Sequence, residues 1–151
     1  MGDGFDISEL EGFQQQLIND MATKYPKEWR KFMRKEANKV QDIAKRIAEN
    51  EVKEDTGNYM QGFKVGKSKL KGAYAIKAYN EAPHGHLIED GHKQYGGKGN
   101  KTVVGWVEGK HIYTKAHTEF KARFENDVQK FADDLLYHSV CAKYGKVKPK
   151  R

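Results

Sequence analysis

The sequence predicts an α+β fold, a small antiparallel sheet of three to four strands covered by a long N-terminal and a long C-terminal helix. Three observations carry that expectation. Apolar residues recur at helical spacing from Leu10 to Ile47, alternate along two segments between Tyr59 and Asn80, and return to helical spacing from Ala116 to Leu135. Helices, then strands, then a closing helix is the order in which helices cover one face of a small antiparallel sheet.

Each element has its own signal. Ser8-Glu9-Leu10-Glu11 has the spacing of a capping box, so a first helix should start there, with Leu10, Phe13, Leu17, Ile18 and Met21 on one stripe. Pro26 opens a second helix, because a first-turn residue needs no N–H. Trp29, Phe32, Met33, Ala37, Val40, Ile43, Ala44 and Ile47 hold helical spacing from there, with Lys31, Arg34, Lys35, Lys39, Asp42 and Lys45 on the other face. Residues 51–58 lose periodicity at Thr56-Gly57, a turn signal. Strands are expected over Tyr59–Gly66 and Gly72–Asn80, joined by the polar connection Lys67–Lys71 as antiparallel neighbours. Gly91–Lys101, with four glycines and three lysines, reads as a mobile loop. Val103–Val107 is a candidate third strand in the same sheet. A long helix should then run from Thr114 to about Lys143, with Ala116, Phe120, Phe124, Val128, Phe131 and Leu135 on one stripe, joined by Ala132, Leu136 and Cys141.

Length and composition bound the function. The 151 residues suit one core, so residues 1–142 are expected to form a single α+β domain, followed by a basic flexible tail over 143–151. A charged content of 32% against a hydrophobic content of 37% fits thin elements with much exposed surface, or surface later covered by partner subunits. The net charge of +7 leans toward anionic partners. A single cysteine, Cys141, leaves no internal disulfide to form and points to a reducing cytoplasm. No stretch of eighteen apolar residues occurs, and the acidic start Met1-Gly2-Asp3-Gly4 does not read as a secretion signal, so neither membrane insertion nor export is expected.

The densest chemistry lies at Ala82–His92, where His84, His86 and His92 accompany Glu89 and Asp90. These are ligand types for zinc or non-haem iron, and a metal-dependent nuclease built on the three histidines is the enzymatic alternative. Spacing argues against it. His84 and His86 share a face only in a strand, which Pro83 and Gly85 disfavour. The preferred reading places the two histidines at a strand-to-helix turn, with Leu87 and Ile88 in the core and Gly91 ending the turn in a left-handed conformation. No cofactor, metal ligand or catalytic residue is assigned. His138 and Cys141, one turn apart, read as helix packing. Glu89-Asp90 and Asp133-Asp134 are sequence neighbours whose side chains diverge, and no nucleotide-binding glycine pattern is present. Residues 60–115 carry ten lysines against four acids, so Lys93, Lys98 and Lys101 are candidate DNA or phosphate contacts. The predominance of lysine there favours loose charge neutralisation over base reading, as in a nucleic-acid-binding accessory protein.

Several of these motifs stand in an order that is itself informative. An N-terminal helix precedes Thr56-Gly57-Asn58-Tyr59 and a strand containing Lys64-Val65-Gly66; the Ala82–His92 corner, a glycine-rich loop and a helix from about Lys115-Ala116 follow. Over residues 5–140 this resembles the minor tail-component family of tailed bacteriophages and prophages, whose members sit in the neck at the head–tail junction. His86, Glu89 and Gly91 stand for the family's short His-x-x-x-Glu-x-Gly core with a one-residue displacement. The Gly91–Lys101 segment is longer and more basic than the resemblance leads one to expect. The resemblance implies a non-enzymatic virion protein, assembled in the host cytoplasm, that forms or decorates a ring through which DNA passes. Its neighbours would be copies of itself, the connector, head-closure and tail-terminator proteins. Thr56, Gly57, His84, His86, Glu89, Gly91 and His92 are then the subunit-contact candidates.

Overall fold

The structure, a computed structural model, describes residues 7–53, 57–70, 73–99 and 101–144. In chain order its elements are α1 (Ile7–Lys24), α2 (Pro26–Glu51), α3 (Asn58–Gln61), β1 (Phe63–Leu70), β2 (Ala73–Asn80), α4 (Gly85–Asp90), β3 (Gly91–Tyr95), β4 (Val103–Glu108) and α5 (Ile112–Tyr144). The α+β class holds, with long helices flanking antiparallel strands. The strands differ from expectation in pairing: β1 pairs with β2 and β3 with β4, giving two separate two-stranded sheets.

The chain divides into two compact units, residues 1–32 with 124–151 and residues 33–123. The first is helical and holds an aromatic core. Met21, Trp29, Phe32, Val128 and Ala132 are buried. Phe32 stacks on Phe131 with ring centroids 4.5 Å apart, and Trp29 lies 5.6 Å from Phe32 and 6.1 Å from Phe131. Offset and tilted ring pairs of this kind add about 0.5–1.5 kcal/mol each beyond the area they bury. The stripes from Trp29 to Phe32 and from Phe124 to Leu135 are thus packing faces. Leu136 is not part of one: it is 62% exposed.

The second unit contains the rest of α2 and the start of α5, together with all the strands. Ile43, Ala44, Ala48, Tyr59, Phe63, Ile112 and Ala116 form its buried cluster. Three of the seven are alanines with no exposed surface, which leaves Ile43, Ile112 and the two rings to fill the space between backbones. Across this core Arg46 pairs with Glu119 at 2.6 Å and Lys115 with Glu51 at 2.7 Å. Both pairs are partly exposed, and such pairs add little stability. Glu36 is a buried acid that periodicity gives no reason to expect, and it pairs with Lys39 one turn on.

Two strand boundaries also differ. Tyr59, expected at the start of a strand, lies in the single helical turn of α3. Gly57 adopts a left-handed conformation at φ 72°, and the amides of Gln61 and Gly62 then bond to the carbonyls of Gly57 and Asn58. A spacing of four fits a helix turn as well as a strand, so Tyr59 and Phe63 both reach the core, in edge contact at 5.3 Å. At the other end, Lys67–Leu70 continue β1, paired residue by residue with Ala73–Ile76, in place of the expected polar connection. Asn80 fastens the base of this hairpin. Its Nδ2 donates to the Tyr59 carbonyl and its Oδ1 accepts from the Ala82 amide, both at 2.8 Å. Gln41 on α2 donates to the Phe63 carbonyl at 3.0 Å. Replacing Asn80 with Ala leaves one half-buried donor and one acceptor unpaired, and should lower stability by about 1–2 kcal/mol in urea unfolding.

Candidate functional site

The corner around Ala82–His92 is built by backbone hydrogen bonds. The Gly85 amide bonds to the Ala82 carbonyl at 2.9 Å, and the Leu87 amide to the His84 carbonyl at 3.0 Å, so His84 sits at the start of α4. Its side chain and that of His86 are exposed, while Leu87 and Ile88 are half-buried, with Ile88 packed against the core. Gly91 ends the helix at φ 81° and is buried. A side chain there would be strained by that torsion and would also strike the Gly109 amide, 2.8 Å from an added Cβ. Gly91 thus has the positive φ anticipated from sequence, but its ψ of 176° is extended and not left-handed helical. It opens β3 directly: Gly91–Tyr95, expected to be loop, pair with Val103–Glu108 in register Gly91↔Glu108 and Lys93↔Trp106. The strand is hidden in sequence because four of its five residues are glycine or polar, and they are so because most of them face solvent.

Glu89 is the pivot of the corner. Its carboxylate accepts from the amide of Tyr113 at 3.1 Å and that of Thr114 at 3.3 Å, capping α5 from a distant point in sequence. Its backbone carbonyl accepts from His111, and the Ile88 carbonyl accepts from Lys110 at 2.7 Å. A helix N-terminus carries orphan amides and positive potential, so a carboxylate there meets both needs. His111, in a left-handed conformation at φ 51°, turns the chain from β4 into α5, and the Lys115 amide closes the first turn on its carbonyl. Close by, the Tyr113 hydroxyl is buried with no hydrogen-bond partner. Burial first, then the nearby Tyr59 and Glu89, push its ionisation well above the ordinary value of 10.0.

An open cleft of about 290 Å³ adjoins the corner. Val52, Leu87, Ile88 and Val107 give it an apolar floor, and Glu51 and Lys110 are among the charges on its wall. His84 and His92 both line it, and the Nδ1 of His92 is buried with no hydrogen-bond partner. Among the described residues no group of three or more His, Cys, Asp or Glu side chains is placed to hold a metal ion. Thr56 lies outside the described residues, while Gly57 sits at the start of α3. Of the basic residues singled out in sequence, Lys93 lies on β3 opposite Trp106, and Lys98 and Lys101 are exposed in the β3–β4 connection.

The feature that sequence reasoning missed is the ribbon itself. Tyr95, Val103, Val104, Trp106 and Val107 are between 40% and 60% exposed, a dense run of large apolar side chains on two short strands. The alternation Val104–Trp106 is legible as a strand, but a third strand in a larger sheet would have one face covered. Here the two-stranded ribbon leaves both faces largely open.

A tightly fastened corner thus stands on one chain with a ribbon of exposed apolar side chains. A comparison with known families supplies the class. The family described as "Bacteriophage HK97-gp10, putative tail-component" matches residues 13–91, just over half the chain, and this protein belongs to that family. The matched segment runs from α1 to the glycine that ends α4, so it includes His84, His86 and Glu89. No curated protein and no solved structure matches the chain. Membership makes the protein a structural phage tail component, among other virion proteins. No helix among the described residues is long and apolar enough to cross a membrane.

Two substitutions check the corner. Glu89→Ala should cost roughly 1–3 kcal/mol by chemical unfolding, and Glu89→Gln less, because the amide oxygen still accepts. Tyr113→Phe removes an unpartnered hydroxyl and should be neutral or up to about 1 kcal/mol stabilising. The raised ionisation of Tyr113 sets the sign with pH. Below pH 10 both folded and unfolded phenols are neutral; above it the unfolded chain ionises first, so stability falls as pH rises, and the Phe variant should lose less between about pH 10 and 11.5.

Proposed function

We propose that this protein is an assembly component of the phage neck or tail-completion region, forming or decorating a ring between head connector and tail through which DNA passes. Its neighbours are copies of itself and the connector, head-closure and tail-terminator proteins. The observation that carries the reading is the exposed ribbon of Tyr95, Val104 and Trp106 on a chain of a tail-component family. Apolar surface concentrated in this way marks a surface to be covered.

A ring needs a head-to-tail contact in which two different patches of one chain meet. Val104 and Trp106, on one face of the ribbon, supply an exposed apolar patch, and the cleft lined by His84, His92 and Val107 a concave one with charged walls. His84 and His86 are exposed in this region and Gly57 and His92 are half-buried, with Thr56 adjoining in sequence. Glu89 and Gly91 act from inside it, holding α4 against the start of α5. The histidines serve packing and hydrogen bonding at the contact.

The isolated chain should be monomeric or weakly associated in light scattering and become stably oligomeric only when a connector or tail end is added. In a phage lacking the protein, electron microscopy should show heads and tails that form but do not join, or tails with defective ends. Trp106→Asp should leave the circular dichroism spectrum unchanged and abolish incorporation into particles. Normal, joined particles in its absence would overturn the assignment.

A further inference from the structure

The β1–β2 hairpin has a composition that neither the core nor the apolar ribbon uses. Residues 63–80 contain five lysines and no acidic residue. Burial is confined to the base: Phe63 is in the core, and every other residue of the two strands whose side chain is described is half-buried or exposed. Two eight-residue strands at about 3.3 Å per residue give an arm roughly 26 Å long. A lone two-stranded hairpin is marginal in water, so an arm of this length is completed by what it touches.

The register fixes where the charges lie. Lys64 and Lys77 are on one face, opposite Tyr79 and Gly66 respectively, and Lys67, paired with Ile76, is on the other. All three are exposed. Lys77 extends over the Tyr79 ring at 4.6 Å, and Lys64 lies 3.4 Å from Glu81, just beyond the end of β2. Cations on both faces of a narrow ribbon suit a partner that presents negative charge on two sides. The major groove of duplex DNA, about 12 Å wide between phosphate walls, admits a two-stranded ribbon.

We infer that the β1–β2 hairpin is a DNA-contacting arm whose Lys64, Lys67 and Lys77 neutralise backbone phosphates of duplex DNA without reading sequence. Flexible lysine, in place of forked arginine, gives contacts that hold the duplex loosely and let it move along its axis. The inference extends the proposed ring, whose lumen DNA traverses, but its test uses the free chain, so a failure of ring assembly leaves it standing.

Binding of the full-length protein to a fluorescently labelled random-sequence duplex is followed by anisotropy across a salt series. Lys64→Gln/Lys67→Gln/Lys77→Gln should bind at least about tenfold more weakly at low salt, and the slope of log K against log salt should fall by about 2–3, near 0.9 for each phosphate no longer neutralised. The matching arginine triple variant should bind like the original, which separates charge from fold, and thermal unfolding should show all variants folded. The loop variant Lys93→Gln/Lys98→Gln/Lys101→Gln should change affinity less than about threefold. Unchanged binding by the arm variant overturns the inference, as does an equal loss in the loop variant. Equal affinity of the original protein for polyglutamate would also overturn it, in favour of an acidic protein surface.

Discussion

The carboxylate of Glu89 on the first amides of α5 is the interaction from which the rest of the second unit follows. It ties α4 to the start of a 33-residue helix. With the backbone bonds from Lys110 and His111 it sets where β4 ends and where Ile112 enters the core. Gly91 then leaves α4 in the one direction that places β3 against β4. Remove the cap and three elements lose a common reference point.

That fastening clarifies the division of labour along the Ala82–His92 segment. Residues that look alike in sequence, five of them titratable, separate into inward and outward groups. Glu89 is spent on backbone amides, while His84 and His86 lie at the surface. His92, half-buried beside the cleft, stands between the two. A cluster that is dense in sequence thus divides in space, with the Glu89 carboxylate on the amides of α5 and the His84 and His86 side chains in solvent.

Much of the architecture is legible because helical stripes depend on local spacing alone. The run from Trp29 to Ile47 and that from Ala116 to Leu135 read correctly, and so does the antiparallel pairing of β1 with β2. What escapes is non-local. Tyr59 and Phe63, four apart, satisfy a helical turn and an alternating strand equally well, and only the left-handed Gly57 decides between them. β3 has a single large apolar residue, Tyr95, and no alternation to announce it, since its pairing with β4 rests on backbone bonds. The corner is identifiable by its composition, yet nothing in the sequence ties Glu89 to Tyr113, a contact across 24 positions.

The pairing of strands in twos has a further effect. Each of the four strands keeps one edge whose N–H and C=O groups have no partner strand among the described residues, and around β4 that edge carries Val103 and Val104. Many proteins guard such edges with proline, inward-pointing charge or a bulge that twists them away. β3–β4 has an irregularity at Gln94/Tyr95 and only two charged side chains, Lys93 and Glu108. An edge left this open is a liability for a chain waiting alone at high concentration. The order in which components meet, as much as their shape, then governs whether the strand finds its proper neighbour or a stray one.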